Sequence, residues 1–286
     1  MKHWVAGARP RTLPASVSPV LVGTAAAASE GRVVAWRAAA ALVVALALQV
    51  GTNYANDYSD GLRGTDARRA GPPRLTVSGL VDPVSVQRAA VLAFAVAAVA
   101  GLALALAVDL RLLVVGAACI AAGVLYTGGP RPYGYAGFGK VAVLVFFGFV
   151  ATVGSAYVHV ERIAGVAVAT AVPMGLMACA LLVVNNLRDL ESDEEAGKRT
   201  LAVRLQAPAT RVLYRACMVG ALAAILLLGL ARPPVLVALL AAPLAVGPMR
   251  LVSRRRDPRG LIEALVGTAR FQLVAALLLA AGLWVS

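Results

Sequence analysis

The chain has 286 residues, 60% of them hydrophobic, and its mean hydropathy of +0.81 is far above that of ordinary soluble domains. This composition excludes a soluble enzyme and predicts an all-α, polytopic membrane protein. The net charge of +13 does not indicate nucleic-acid binding, because the basic residues are spread over several loops between apolar segments.

Nine apolar segments, taken in chain order, are long enough to be membrane helices. They lie approximately at residues 13–29, 36–58, 86–107, 111–127, 141–159, 163–187, 212–231, 234–252 and 264–285. We predict one domain over residues 1–286, with helices 1–4 and 5–8 as two four-helix halves and the ninth helix unpaired. Pro14 and Pro19 favour a kinked first helix, although a cleaved secretory signal would leave eight spans.

The distribution of basic residues orients these helices. If the N-terminus is cytosolic, only five of the 27 lysine and arginine residues fall on the outer side: Arg32, Arg37, Arg111, Arg162 and Arg232. This asymmetry is the positive-inside pattern. It predicts a multi-pass protein of the plasma membrane whose basic loops face the cytosol, with Arg254 to Arg256 contacting anionic membrane lipid.

Two acidic motifs close the second and sixth apolar segments. The first contains Asn53, Asn56, Asp57 and Asp60, and the second contains Asn185, Asp189 and Asp193. At ~100° per helical residue, the side chains of each motif lie on one helix face. Ionisable groups at the end of a membrane helix are costly to desolvate, so both motifs predict a functional site on the cytosolic side.

The oxygen-rich character of the motifs predicts a bound cation. Mg²⁺ typically takes a few carboxylates together with substrate phosphate oxygens, which predicts a phosphorylated ligand between the two motifs. Basic residues beside the motifs would hold a diphosphate by charge-assisted hydrogen bonds, or would only fix the topology. They are Arg63, Arg74, Arg188, Lys198 and Arg199. We infer no protein partner and no nucleic acid.

A third candidate segment runs from Tyr126 to Tyr135 and includes Arg131. Its glycines and prolines are typical of a turn-rich loop. Its tyrosines would alternatively line a pocket in which a carbocation forms, because aromatic faces attract cations. The sequence leaves both interpretations open.

The two motifs resemble those of the UbiA superfamily of intramembrane prenyltransferases, which have two Asp-rich motifs on nine helices. The resemblance covers nearly the whole chain. It is greatest to the branch whose acceptor is 1,4-dihydroxy-2-naphthoate, in the stretches Arg9–Pro14, Val22–Thr24, Asn53–Asp66, Arg131–Tyr135, Val145–Gly148 and Asn185–Arg204. Two departures are Lys140, where the family has an acidic residue, and Gln206, where it has glycine.

The resemblance implies a role for each matching residue. Asn53, Asp57, Asp60, Asp66, Asp189 and Asp193 would bind Mg²⁺ and the diphosphate. The remaining substrate contacts would come from Arg9, Asn56, Arg74, Tyr126, Arg131, Asn185 and Lys198, with Lys198 and Arg74 on the diphosphate.

The implied reaction transfers a polyprenyl group from polyprenyl diphosphate to 1,4-dihydroxy-2-naphthoate, releasing diphosphate and CO₂ and giving demethylmenaquinone. Arg9 or Arg11 would hold the acceptor carboxylate. Alternatives within the superfamily use 4-hydroxybenzoate or haem as the acceptor. A CDP-alcohol phosphotransferase and a secondary transporter are alternatives of other classes.

Overall fold

A computed structural model describes residues 2–64 and 75–286, and no β-strand occurs in that part of the chain. The protein is therefore all-α, as predicted. The helices are α1 Lys2–Ala8, α2 Pro14–Ala28, α3 Ala35–Leu62, α4 Pro83–Ala107, α5 Arg111–Leu125, α6 Gly139–Val160, α7 Gly165–Arg188, α8 Leu190–Glu195, α9 Leu201–Ala231, α10 Pro233–Arg254 and α11 Pro258–Trp284.

Helices α2 to α7 and α9 to α11 coincide with the nine predicted apolar segments. Seven of them, found among residues 2–64 and 75–286, are long and apolar enough to cross a membrane. Helices α2 and α5 have 15 residues each, which at ~1.5 Å per residue is shorter than a hydrocarbon core of ~30 Å. Seven membrane-spanning candidates are therefore supported, and the count of nine spans stays a prediction.

The main apolar core is built around α7 and α2. Helix α7 is the most buried of the long helices, and α2 packs against α3, α6, α7 and α11. Small residues allow the close approach: a Cβ atom added to Gly148 of α6 would lie 2.8 Å from the Cα atom of Gly175 of α7. Helix α11 packs against α2, α7 and α10. The ninth apolar helix thus completes the core, although it has no counterpart in the proposed repeat.

Helix α3 packs mainly against α4, with smaller contacts to α2, α5 and α6. Its last turns and those of α7 lie at the same end of the bundle, which we call the cluster end. Pro14 begins α2 and Pro19 lies inside it, and its buried residues Val22, Ala25 and Ala26 belong to the main core. This first apolar segment is an integral part of the bundle.

Helix α9 bends at Gln206, whose φ of 60° and ψ of 170° are non-helical. This backbone region is essentially restricted to glycine, and another residue there costs ~1–3 kcal/mol. The glycine expected at this position by resemblance is thus explained by the backbone. Gln206 occupies the strained position instead, with its side-chain amide donating to the Val203 carbonyl.

Replacing Gln206 by glycine is expected to raise the stability of the protein. Relief of backbone strain outweighs the chain entropy of glycine, so we expect a net gain of about 1 kcal/mol. The measurement is the thermal unfolding midpoint in detergent. Gln206→Ala is the matched control, because it removes the same side chain and keeps the Cβ atom; an equal rise in both variants would contradict strain as the cause.

Candidate active site

The ends of α3 and α7 bring the two acidic motifs together. Asp57, Asp60, Asp189 and Asp193 are all buried, and Asp57 is only 1% exposed. The second motif does not continue on one helix as predicted. The backbone leaves the helical conformation at Asp189 (φ −94°, ψ 9°), and the short helix α8 then carries Asp193. The motif therefore turns at its midpoint, which places Asp193 on a separate element.

The first motif is held by segments on both sides of α3. The carboxylate of Asp57 accepts hydrogen bonds from the backbone N–H groups of Leu75, at 3.0 Å, and Thr76, at 3.2 Å. The Asn53 side-chain amide donates to the carbonyl of Ala8 at 3.0 Å. Helix α1 and the segment after residue 74 therefore fix the orientation of this motif.

The second motif contains a buried ion pair. The Arg188 guanidinium donates to both oxygens of Asp189 at 2.7 Å, in the two-bond geometry that is specific to arginine and carboxylates. Arg188 was predicted to contact a diphosphate. In this structure its side chain instead pairs with Asp189 and neutralises that carboxylate.

Lys198 joins the two motifs. Its Nζ atom lies 3.3 Å from Oδ1 of Asp60 and 3.9 Å from Oδ1 of Asp193, and its side chain is 6% exposed. The ammonium group also lies 4.9 Å from the ring centre of Tyr135, within the range of a cation–π interaction. The same ammonium group therefore lies between a carboxylate of the first motif and a carboxylate of the second.

The loop of residues 126–138 covers the first motif. Thr127 donates its hydroxyl to Oδ1 of Asn56 at 2.8 Å, and the Tyr135 hydroxyl donates to Asp60. Arg63 donates to the carbonyls of Thr127 and Gly129. Arg63 was a predicted diphosphate contact, but its guanidinium holds this loop. Thr127 was not predicted, because a lone threonine in a loop carries no spacing signal.

A cavity of about 490 Å³ opens beside the motifs. The predicted residues in its lining are Arg9, Arg11, Asn53, Asn56, Asp57, Tyr126, Asn185 and Arg188. Its apolar wall includes Phe146 and Phe147 of α6, which belong to the matching stretch Val145–Gly148 but had no predicted role. The cavity thus joins a polar, acidic end to an apolar interior.

Two tyrosines of the 126–138 loop line the cavity, as one of the two interpretations of this segment required. The rings of Tyr126 and Tyr133 meet edge to face at 5.4 Å. Burial raises the pKa of Tyr133 to about 12, and its hydroxyl donates to the carbonyl of Ala122 at 2.7 Å. Tyr133 therefore stays neutral near pH 7. Tyr135 points instead to Asp60.

The structure does not assign every predicted residue to the site. Arg131 is exposed and does not line the cavity, while Asp66 and Arg74 lie outside the described residues. Lys140 stands where the resemblance led us to expect an acidic residue. Its ammonium group donates a hydrogen bond to Oδ1 of Asn186. Lys140 therefore places a cation against Asn186, next to Asn185 of the second motif. A lysine there cannot take the role of the acidic residue that the resemblance led us to expect.

The donor chemistry of the two motifs fits a hard divalent cation, because every side chain involved offers oxygen. Among residues 2–64 and 75–286, no three His, Cys, Asp or Glu side chains are close enough together to hold a metal ion. Lys198, Arg188 and the backbone amides of Leu75 and Thr76 occupy the carboxylates in this arrangement. A cation entering the site would replace some of these contacts.

Fold and site together define a polytopic helical membrane protein with a buried acidic site at one end of an apolar cavity. The model of the UbiA prenyltransferase family matches residues 16–274, and the chain belongs to this family. The membership removes the transporter and the CDP-alcohol phosphotransferase as alternatives and confirms the predicted family.

Two relatives and one solved structure show the extent of the similarity. The chain is 51% identical to a 1,4-dihydroxy-2-naphthoate octaprenyltransferase of Mycobacterium tuberculosis, over 98% of this chain and 96% of the relative. It is 37% identical to the enzyme of the same name from Escherichia coli, over 99% and 95% of the two chains. A UbiA homologue from Archaeoglobus fulgidus bound to GPP and Mg²⁺ has the same fold, with a TM-score of 0.63 and 15% identity over 97% and 99% of the chains.

Proposed function

We propose that this protein transfers a polyprenyl group from polyprenyl diphosphate to 1,4-dihydroxy-2-naphthoate, with release of diphosphate and CO₂. The observation that carries the proposal is 51% identity, over nearly the whole of both chains, to a relative named for this activity. The site supports it, because buried acidic motifs adjoin a cavity with an apolar, aromatic wall.

The proposed reaction needs no nucleophile from the protein, because the acceptor ring itself attacks the allylic carbon. The bond between the allylic carbon and the diphosphate oxygen breaks, and both electrons leave with the diphosphate. The electron-rich naphthalene ring then forms a bond to the allylic carbon at the position that bore the carboxylate. Loss of CO₂ returns an electron pair to the ring, so the first product is the quinol form of demethylmenaquinone.

The side chains around the cavity would stabilise the two charges that form in this reaction, on the departing diphosphate and on the allylic carbon. The diphosphate lies at the acidic end of the cavity, where Lys198 turns from its carboxylates toward the phosphate oxygens and stabilises the departing charge. Tyr126, Phe146 and Phe147 face the allylic cation with their rings and exclude water, which would otherwise quench it. The isoprenoid tail follows the apolar wall.

The cofactor of the proposed reaction is Mg²⁺, for which Asn53, Asp57, Asp60, Asp66, Asp189 and Asp193 are the proposed ligands. Bound there, Mg²⁺ would neutralise the charge of the leaving diphosphate. A UbiA homologue of the same fold binds GPP together with Mg²⁺, which supports this assignment.

We place the protein in the plasma membrane with its N-terminus and cluster end in the cytosol. The arginines and lysines favour this orientation, and a diphosphate substrate is available from the cytosolic side. With nine spans, the C-terminus lies outside. Alkaline phosphatase fused after Ser286 should then be active and a fluorescent protein at the same place should not; the reverse pattern would contradict the topology.

The activity is tested with membranes that contain the protein, radiolabelled geranylgeranyl or longer polyprenyl diphosphate, and two competing acceptors. We expect Mg²⁺-dependent label in prenylated naphthoquinol when 1,4-dihydroxy-2-naphthoate is supplied, and none on 4-hydroxybenzoate. Addition of EDTA should abolish the incorporation. Label on 4-hydroxybenzoate alone would move the protein to another acceptor within the family.

A further inference from the structure

The segment between α1 and α2 contains an arginine in an unusual backbone conformation beside the acidic site. Arg9 has φ 53° and ψ 63°, in the left-handed region that a residue with a side chain rarely adopts. Its carbonyl accepts both the backbone N–H and the hydroxyl of Thr12, each at 2.9 Å. Such strain persists only where its surroundings fix it, and it concentrates at ligand-binding sites.

The Arg9 side chain lines the cavity and is half-buried. Among the residues that the structure describes, 2–64 and 75–286, its Nη2 atom is buried without a hydrogen-bond partner. A buried guanidinium nitrogen that makes no hydrogen bond is energetically costly, so its persistence points to a ligand group that completes it. Arginine presents a planar fork of donors that matches a carboxylate.

The position of Arg9 relative to the first motif is fixed by its neighbour. The Ala8 carbonyl accepts the hydrogen bond from Asn53, so Arg9 follows directly on a residue bound to the acidic motif. A ligand group on Arg9 therefore lies beside the place where the diphosphate is proposed to bind. Arg11, the other arginine of this segment, is exposed at the rim.

We propose that Arg9, and not Arg11, binds the carboxylate of the aromatic acceptor and selects carboxylated acceptors. The inference rests on the proposed function. In that reaction the carboxylate-bearing carbon receives the prenyl group, so this carbon must be held next to the allylic diphosphate. Arg9 provides that position because it adjoins the first motif, and the ring then extends toward the aromatic wall.

The test is a binding measurement that needs neither Mg²⁺ nor turnover. The probes are 1-hydroxy-2-naphthoate and its carboxamide, which differ only in the group that meets Arg9, an anionic carboxylate or a neutral amide. Calorimetry should show that the unmodified protein prefers the carboxylate by about 10- to 100-fold, the range of a charge-assisted hydrogen bond. Arg9→Gln should remove this preference and leave carboxamide binding within about two-fold.

Kinetics give an independent readout. Arg9→Gln should raise KM for 1,4-dihydroxy-2-naphthoate by about 10- to 100-fold and leave KM for geranylgeranyl diphosphate unchanged, and Arg9→Lys should recover part of the loss. Arg88→Gln, an exposed change on α4 at the same end, is the matched control. Three outcomes would overturn the assignment. They are a carboxylate preference that is retained in Arg9→Gln, a preference that is lost in Arg11→Gln instead, and a raised KM for the diphosphate in Arg9→Gln. Failure of the unmodified protein to prenylate the naphthoate would instead refute the proposed function.

Discussion

Replacing Asp60 by asparagine is expected to lower kcat/KM for prenyl transfer by at least about a hundred-fold. Tyr135 and Lys198 both contact the same oxygen of Asp60, Oδ1, so an asparagine that presents its amide oxygen there keeps both partners. The variant thus removes a negative charge from the proposed cation site while preserving these contacts. The measurement is steady-state transfer of labelled geranylgeranyl diphosphate at several Mg²⁺ concentrations.

The matched control for this prediction is Asp257→Asn. Asp257 precedes α11 and accepts a hydrogen bond from the backbone N–H of Gly260 at 2.9 Å, a capping role that asparagine performs equally well. We expect its activity to equal that of the unmodified protein. Near-normal activity of Asp60→Asn at saturating Mg²⁺ with no change in the Mg²⁺ requirement would show that Asp60 is not part of the cation site.

Replacing Lys198 by methionine is expected to have two effects of opposite sign. Without the ammonium group, buried carboxylates of both motifs lose a shared cation, and loss of one member of a buried ionic group costs about 3 kcal/mol. The thermal midpoint in EDTA should therefore fall. Because the lysine no longer competes for Asp60 and Asp193, added Mg²⁺ should restore more stability in the variant than in the unmodified protein.

The same variant should bind the diphosphate less well. Lys198 is the proposed contact to the leaving group, so we expect KM for geranylgeranyl diphosphate to rise at least about ten-fold even where Mg²⁺ restores the fold. Arg199→Met is the matched control: Arg199 was also a candidate diphosphate contact in the sequence, but its side chain is exposed next to the buried Lys198. Equal losses in both variants would indicate a general effect of charge on this loop. A Lys198 variant with unchanged Mg²⁺ response would contradict competition for the carboxylates.

Lys198 also illustrates why a buried cation is compatible with catalysis. A lysine side chain is flexible and carries a compact charge, so it is suited to neutralise the acidic motifs before substrate enters and to follow the diphosphate afterwards. Arg188 is held differently, by two parallel hydrogen bonds to Asp189. Arg188 and Lys198 thus have different roles: Arg188 fixes a carboxylate, and Lys198 is shared between motifs.

Basic residues show most clearly where inference from the sequence reached its limit. Arg63, Arg188 and Lys198 all lie near an acidic motif in the chain, and spacing alone predicts the same diphosphate contact for each. The fold assigns them to loop carbonyls, to Asp189 and to the pair Asp60 and Asp193, respectively. Side-chain direction and the packing of the 126–138 loop make this distinction, and neither is encoded by local spacing.

The sequence by itself determined the all-helical membrane class, the apolar segments and the two acidic motifs. Hydropathy over some twenty residues and the cost of placing carboxylates in apolar surroundings are local properties of the chain, and they survive any arrangement of the helices. The tertiary structure decided that Asp193 lies on a separate helix, that Lys198 joins the motifs, and that the Arg9 side chain is half-buried at the cavity while that of Arg11 is exposed. These features depend on contacts between segments far apart in the chain, so only the packed bundle fixes them.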